Sequence, residues 1–412
     1  MARPWLRTSI IAVVMSVAFV CVLDALTNER NPEWDGLHYL EIARNGIRFD
    51  RQYASPFPYR SAAPMIAHGI RAMTGWSAEI ILRVMVRAAI VAMLLMTLAL
   101  CRSIGASWRS SAFIAAFIGL HYAHAKFALY FWSLVDVYGY AVMFAATWAL
   151  MSRRYRIALF LGAAGVLFKE FLVAPAFIAA CALVWQAYRE RTWRPMAWAA
   201  AGIFLLVCCV ALPRLAIPIG EHYEVFDPLW GGGWRQQVSE ILANTARNAN
   251  IVYSLLGYGL PAMLLAAWAR TRSVVKSEIA AWPCAGLVVV VLLLMLFGGT
   301  NLCLYPPYLA ALLVACLAVM ARGGDIGWVE GVIVLAVIAG FNRVWQTIPT
   351  DYSNYLAFYG GYNNLPTATW RWVVCVCALL AGTLRQGCRT ADAGSAMHSP
   401  IPSPRTTGRW RP

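Results

Sequence analysis

Long apolar runs separated by short polar segments fill most of the chain. The first run, "LRTSIIAVVMSVAFVCVLDAL", has the about 20 residues that an α-helix needs to cross a hydrocarbon core. Its basic start resembles a signal peptide, but the run is longer than usual and has no small-x-small cleavage site, so we interpret it as an uncleaved span. The pattern predicts an all-α polytopic transmembrane bundle of about twelve spans, at residues 6–26, 84–101, 110–123, 137–152, 157–168, 171–187, 196–216, 251–269, 279–297, 304–320, 328–346 and 369–386.

The composition excludes a soluble protein. Hydrophobic residues make up 61% and charged residues 13% of the 412 residues, which is far more apolar than soluble domains. The net charge of +15 is spread between apolar runs and not gathered on one polar face, as nucleic-acid binding would require. We therefore expect membrane lipids as partners and no nucleic acid. The cysteines lie mostly in apolar runs and indicate neither a disulfide framework nor a metal knuckle.

The distribution of charge predicts the orientation, because Lys and Arg in short loops resist translocation. With the amino terminus inside, more than half of the basic residues fall in inner segments or the tail, and most of the acids fall on the outer side. Both termini are therefore predicted to be cytoplasmic. Residues 1–386 form the membrane domain, and residues 387–412, rich in Ser, Pro, Gly and Arg, are predicted to be a disordered cytoplasmic tail.

The segment from 157 to 186 carries Lys169 and Glu170 in the middle of an apolar run. Arginine clusters precede and follow it, and both can be cytoplasmic only if the chain crosses outward and returns. The pattern therefore predicts two short spans with Lys169 and Glu170 at the turn between them.

The first outer loop, residues 27–83, is predicted to hold two amphipathic helices along the membrane surface. In the first of them, Leu37, Leu40, Ala43 and Ile47 share one face. Asp35 lies at its start, where an Asp that caps the helix is worth about 1 kcal/mol. The acid-x-acid pair of Glu33 and Asp35, beside a membrane interface, favours a functional site, and capping remains the alternative.

The stretch "PEWDGLHYLEIARNG", followed by "PFPYRSAAPMIAHGI", resembles the first outer loop of polytopic glycosyltransferases of the GT-C superfamily, including their uncharacterised bacterial members. Glu33-Trp34-Asp35 matches the ExD form of that superfamily's modified DxD motif. The resemblance continues at Asp136 in "FWSLVDVYGYAVM", where such proteins place a second acid. It extends to "LGAAGVLFKEFLVAPAF", which is similar to their turn with a basic residue and Glu. The sequence departs from the superfamily's pattern in two ways, since it shows no full DxD motif and no recognisable soluble carboxy-terminal domain.

The resemblance implies a GT-C-like bundle that transfers a hexosyl or pentosyl group from a polyprenyl-phosphate donor. The acceptor is a glycan, lipid or protein at the outer face of the cytoplasmic (inner) membrane. A base must take the acceptor's proton, and a carboxylate can do so. A divalent cation, Mg²⁺ or Mn²⁺, could share the work through carboxylate oxygens. The expected catalytic residues, and the expected metal ligands if a cation binds, are Glu33, Asp35 and Asp136.

The leaving phosphate requires positive charge. Arg60 can bind phosphate bidentately, and Lys126 and Lys169 are point charges predicted near the same face. Glu170, His38 and Tyr59 are expected to support them.

Each of these assignments has a structural alternative. Arg60 could anchor at lipid headgroups, and Lys169 and Glu170 could neutralise one another at their turn. For the whole chain, the alternatives are a multi-pass transporter or flippase and a catalytically inactive protein of the same fold.

Overall fold

The computed structural model of the protein describes residues 2–29, 35–121, 124–222, 306–322 and 325–351, together with residues 243 and 354. These parts of the chain are mostly helical. The helices are α1 (Ala2–Ala25), α2 (Asp35–Asn45), α3 (Ala62–Thr74), α4 (Ala78–Ile104), α5 (Trp108–Leu120), α6 (Lys126–Tyr130), α7 (Asp136–Met151), α8 (Tyr155–Gly165), α9 (Val173–Glu190), α10 (Arg194–Ala216), α11 (Ala310–Arg322) and α12 (Trp328–Phe341). Short 3-10 helices cover Phe57–Arg60, Glu170–Leu172 and Pro306–Leu309.

Three helical segments of the described chain are long and apolar enough to cross a membrane: Ala78–Ile104, Glu170–Glu190 and Arg194–Ala216. Shorter apolar helices stand at the predicted spans 6–26, 110–123, 157–168, 304–320 and 328–346. Helix α7 stands at the predicted span 137–152. The predictions of a mostly helical fold and of helices long and apolar enough to span a membrane are thus confirmed. The number twelve stays a prediction, because the spans at 251–269, 279–297 and 369–386 and the tail lie outside the described residues.

Helix α4 packs against α1, α5, α7 and α11. Its residues Leu82, Val86, Ile90 and Met93 are almost completely buried, and their spacing of three and four residues places them on one face. This stripe forms the core of the described bundle. Helices α8, α9 and α10 pack on one another beside it, and α7 joins α8 to α4.

The contact between α8 and α9 depends on Gly162. A Cβ at this position would lie 2.6 Å from the backbone nitrogen of Ala176 and 2.9 Å from the carbonyl oxygen of Leu172. Only glycine permits so close an approach, which is typical of helices packed in membranes. The two helices are therefore held tightly together at the end where residues 166–172 join them.

Helix α10 leaves most of its apolar surface uncovered. Its buried residues are Pro195, Ala199 and Gly202, whereas Phe204 is 71% exposed and Leu215 is 83% exposed. A helix that buries a narrow stripe of small residues and exposes large apolar side chains is suited to face lipid.

Two helices, α2 and α3, lie between α1 and α4, as predicted for the first outer loop, and they pack on each other and on α4. The buried face of α2 carries Gly36, Tyr39, Leu40 and Ala43. The prediction that Leu37 lies on this face was wrong, since Leu37 is 54% exposed. Tyr39 takes the buried position because its ring packs edge-on against Phe57.

A short parallel strand pair departs from the all-α prediction. Strand β1 (Tyr53–Ser55) pairs with β2 (Ile219–His222), with Tyr53 opposite Ile219. Parallel strands need long connections, here most of the bundle, so no local pattern announces them. The pair ties the segment before α3 to the end of α10.

Candidate functional site

Successive helices that run back and forth bring several chain segments to one end of the bundle. Asp35 begins α2, Arg60 ends the 3-10 helix before α3, and Asp136 begins α7. Lys169 and Glu170 lie between α8 and α9, and Arg214 lies in the last turn of α10. These six residues, which we call the charge cluster, interact electrostatically with one another.

Arg60 and Glu170 form a bidentate ion pair. Arg60 Nε donates to Glu170 Oε2 at 2.9 Å, and Arg60 Nη2 donates to Oε1 at 2.7 Å. The side chain of Arg60 is 7% exposed and that of Glu170 is 38% exposed. The backbone nitrogen of Ala62 also donates to the carbonyl oxygen of Leu167 at 3.1 Å. These bonds fix the start of α3 to the turn that carries Lys169 and Glu170.

Lys169 and Asp136 form a second, more deeply buried pair. Lys169 Nζ lies 2.8 Å from Asp136 Oδ1, and the two side chains are 7% and 11% exposed. Asp136 is the first residue of α7, where the partial positive charge of the helix amino terminus favours a carboxylate. Oδ1 nevertheless accepts no well-directed hydrogen bond from the described residues. Asp136 is thus held by charge more than by hydrogen bonding.

Asp35 is the acid of the charge cluster that has no ion pair or hydrogen bond to another described residue. Its side chain is partly buried. Burial raises the pKa of the Asp35 carboxyl above its ordinary value, while the positive charges of Lys169 and Arg60 oppose this rise and the negative charge of Asp136 adds to it. Asp35 therefore lies within electrostatic reach of four other predicted site residues, Lys169, Arg60, Asp136 and His38, and its carboxylate can accept a proton.

Aromatic rings surround the first-loop part of the cluster. His38 stacks on Phe57 with ring centroids 4.3 Å apart. Tyr39 packs edge-on against Phe57, with ring centroids 5.5 Å apart, and burial raises the pKa of the Tyr39 hydroxyl. The guanidinium of Arg214 lies 4.5 Å from the centroid of the Tyr59 ring. His38 and Tyr59, which the sequence assigned as supports, thus contact neighbours of Asp35 and Arg60.

Arg214 is a member of the cluster that the sequence reading did not select. Its Nη1 donates to the carbonyl oxygen of Val210 at 2.8 Å, and it interacts electrostatically with Glu170 and Arg60. Among the described residues no carboxylate forms an ion pair with it. An arginine next to a proline at the end of an otherwise apolar span was the signal that could have identified it.

Lys126, which was predicted to bind the donor phosphate, does not belong to the charge cluster but is bound to backbone carbonyl oxygens. Its ammonium donates to the carbonyl oxygens of Arg343 at 2.9 Å and Val344 at 2.8 Å, and also to that of Gln346. Burial lowers the pKa of Lys126 to about 8. Since an ammonium has three protons to donate, these bonds leave none for a phosphate. Lys126 ties α6 to the segment that follows α12.

The predicted metal site is only partly within the described chain. Glu33 lies outside it. In the parts that the structure describes, no three His, Cys, Asp or Glu side chains come together as metal ligands. Asp136 is moreover engaged by Lys169. The described carboxylates therefore do not by themselves form a divalent-cation site.

The charge cluster thus joins Asp35, Asp136, Arg60, Lys169 and Glu170, all predicted from sequence, and adds Arg214. No protein-family model, no curated protein and no solved structure matches the chain.

Proposed function

We propose that this chain is a membrane glycosyltransferase that transfers a hexosyl or pentosyl group from a polyprenyl-phosphate donor to an acceptor at the outer face of the cytoplasmic membrane. One observation carries the proposal. Acids and bases from five separate segments of an apolar helical bundle gather at one end, and Asp35 has no ion-pair partner among the described residues. A lipid-borne phosphate suits this position, because its chain can remain in the bilayer while its head reaches the charges.

Asp35 is the base in this proposal. Its carboxylate takes the proton of an acceptor hydroxyl while the hydroxyl oxygen attacks the anomeric carbon of the sugar. The bond from the anomeric carbon to the phosphate oxygen breaks, and the phosphate leaves with the electron pair. A new glycosidic bond, a protonated Asp35 and a polyprenyl phosphate result.

The charge balance of the cluster suits this reaction. Three acids (Asp35, Asp136, Glu170) face three bases (Arg60, Lys169, Arg214). The phosphate gains one negative charge as the sugar leaves, and Asp35 loses one as it takes the proton. The total charge of the site is therefore unchanged by transfer, and groups already in place stabilise the product phosphate.

Arg214 is assigned as the first contact of the phosphate. Arg60 is already neutralised by Glu170 and Lys169 by Asp136, whereas no carboxylate of the described residues pairs with Arg214. A guanidinium can bind two phosphate oxygens at once. A phosphate bound there would then compete with Glu170 for Arg60 and with Asp136 for Lys169.

The test of the proposed function is a transfer assay. Purified protein in lipid nanodiscs is incubated with radiolabelled polyprenyl-phosphate hexoses and pentoses and with membrane glycans, lipids and proteins. We expect label to appear in an acceptor and polyprenyl phosphate to be released in equal amount. If no donor of either class gives transfer, the proposal fails. Movement of intact labelled donor between the leaflets of a proteoliposome, without a new glycoside, would instead indicate a flippase.

Arg214→Gln should weaken donor binding about tenfold or more, since a hydrogen bond between charged groups contributes about 1.5–3 kcal/mol. The measurement is the Kd of a polyprenyl-phosphate sugar. Arg156→Gln is the matched control, because Arg156 also lies over an aromatic ring, 5.2 Å from the centroid of Trp198, but at the amino-terminal end of α8. Equal effects of the two substitutions would remove Arg214 from the phosphate site.

The pH dependence of the transfer rate should reflect the ionisation of the Asp35 carboxyl. A base must be ionised, so kcat/KM falls as the pH decreases through the pKa of Asp35, which lies above 3.8. Arg60→Met removes a positive charge that lowers this pKa, so the acid limb should move to higher pH. Asp50→Asn, in the exposed pair with Arg48, should leave the limb in place. An acid limb that Arg60→Met does not move would show that Asp35 is not the titrating base.

A further inference from the structure

Tyr308 is a buried residue beside the charge cluster that the proposed reaction does not use. Its side chain is 0% exposed. The ring stacks on Phe171 with centroids 4.7 Å apart and meets Tyr140 edge-on, also at 4.7 Å. Its hydroxyl has no hydrogen-bond partner among the described residues. A buried hydroxyl without a partner destabilises the fold, so a nearby group that could accept its hydrogen bond is significant.

The hydroxyl lies against the face of α7 that carries Asp136. A Cβ at Gly139 would be 2.6 Å from the Tyr308 hydroxyl and 3.1 Å from Cβ of Lys169. Gly139 follows Asp136 by three residues, so the two share one face of the helix. Asp136 is also the charge that acts most strongly on Tyr308. Glycine at 139 thus allows the hydroxyl and Lys169 to approach α7 within one turn of the Asp136 carboxylate.

Asp136 has a buried acceptor that lacks a hydrogen-bond donor among the described residues. Its Oδ1 is near Lys169 Nζ, yet it accepts no well-directed hydrogen bond from the described residues. A donor without an acceptor and an acceptor without a donor therefore lie on neighbouring turns of the same helix face. Both atoms are buried, and a buried polar group without a hydrogen-bond partner is costly.

We infer that Tyr308 is a positioning residue for Asp136, whose carboxylate accepts a hydrogen bond from the Tyr308 hydroxyl once Lys169 is drawn away by an anionic ligand. The carboxylate turns about its side-chain bonds from the ammonium to the hydroxyl, and no covalent bond changes. It stays ionised and oriented at the amino terminus of α7. The ligand's part in this exchange rests on the proposed function, but the pairing of Tyr308 with Asp136 does not.

A double-mutant cycle in the ligand-free protein tests the pairing. Lys169→Met removes the ammonium of Lys169, and Tyr308→Phe removes only the hydroxyl. We expect Tyr308→Phe alone to leave the Tm unchanged or slightly raised, because it deletes an unpartnered group. In the Lys169→Met protein the same change should lower the Tm by several degrees, since the hydroxyl is then the carboxylate's partner. If Lys169→Met does not fold, Lys169→Leu, which also has no donor, takes its place.

Tyr138→Phe is the control. The Tyr138 hydroxyl is also buried on α7 and has no hydrogen-bond partner among the described residues, but no charge of the cluster acts on it. Its removal should be additive with Lys169→Met. If the effects of Tyr308→Phe and Lys169→Met on the Tm were additive as well, the inference would be overturned.

A second arm separates this inference from the proposed function. Geranylgeranyl phosphate in nanodiscs serves as the probe, and its Kd should rise about three- to tenfold in Tyr308→Phe, the equivalent of one hydrogen bond, and stay constant in Tyr138→Phe. A non-additive cycle with no probe binding by the wild type would count against a phosphate-lipid ligand while leaving the Tyr308 and Asp136 pair in place. Probe binding that Tyr308→Phe leaves unchanged would refute the ligand-driven exchange.

Discussion

Asp35→Asn is expected to abolish transfer while the protein still folds and inserts into the membrane. Loss of a general base lowers rates by about 10²–10⁴-fold, and Asn has nearly the same shape as Asp. The measurement is kcat with a polyprenyl-phosphate sugar, taken together with the amount of monodisperse protein recovered from membranes.

The thermal stability of Asp35→Asn should distinguish a role of Asp35 as a general base from a role as the cap of α2. Burial raises the pKa of Asp35 in the folded state above its ordinary value. The fold therefore binds the proton more tightly than the unfolded chain does, and stability is lost as the pH rises through the folded pKa. At neutral pH the ionised carboxylate thus destabilises the fold, so Asp35→Asn should melt at the same temperature as the wild type or higher.

Asp50→Asn is the control for this experiment. It makes the same chemical change in the same loop, at an exposed acid paired with Arg48, and should change neither activity nor yield. The opposite result for Asp35, in which folded protein is lost in proportion to activity, would favour capping of α2, since loss of a cap destabilises a helix.

The helices could be predicted from the sequence because each depends on a local property. An apolar run of sufficient length must be covered by lipid or protein wherever it lies, so the runs located α9 and α10 to within three residues and α4 to within six. The turn at Lys169 and Glu170 was also predictable, because arginine clusters on both sides required the chain to return. The structure places that turn between α8 and α9.

The partners within the site could be predicted less well. Arg60 and Glu170 are 110 residues apart, and although both were predicted to belong to the site, their pairing was not. Lys126 was assigned to a phosphate, but its described partners are backbone carbonyl oxygens about 220 residues away, which no side-chain pattern reveals. Arg214 and Tyr308 lie in apolar runs, where a single polar residue is easily interpreted as a side chain that only anchors the helix at the membrane interface. Their roles depend on which neighbours lack partners, and only the packed structure shows this.

Arg60→Met is expected to lower the free energy of unfolding by about 3 kcal/mol, the lower end of the range for breaking a buried ion pair. The lower end applies because Glu170 is 38% exposed and partly screened by solvent, whereas Arg60 is 7% exposed. The loss should be measured by chemical unfolding in one detergent. The part of the fold that loses most stability should be the contact between the start of α3 and the turn that carries Glu170.

The double variant Arg60→Met/Glu170→Gln should recover part of this loss, because it leaves no unpaired buried charge. Arg48→Met provides the comparison: the side chains of Arg48 and Asp50 are 62% and 66% exposed, and such a pair should contribute nothing measurable. If Arg60→Met were as harmless as Arg48→Met, the pair would not hold the loop. In the proposed function, a stabilising pair of Arg60 and Glu170 would also favour Arg214 as the first contact of the phosphate, because Arg214 has no carboxylate partner in the described chain and binding there would break no ion pair.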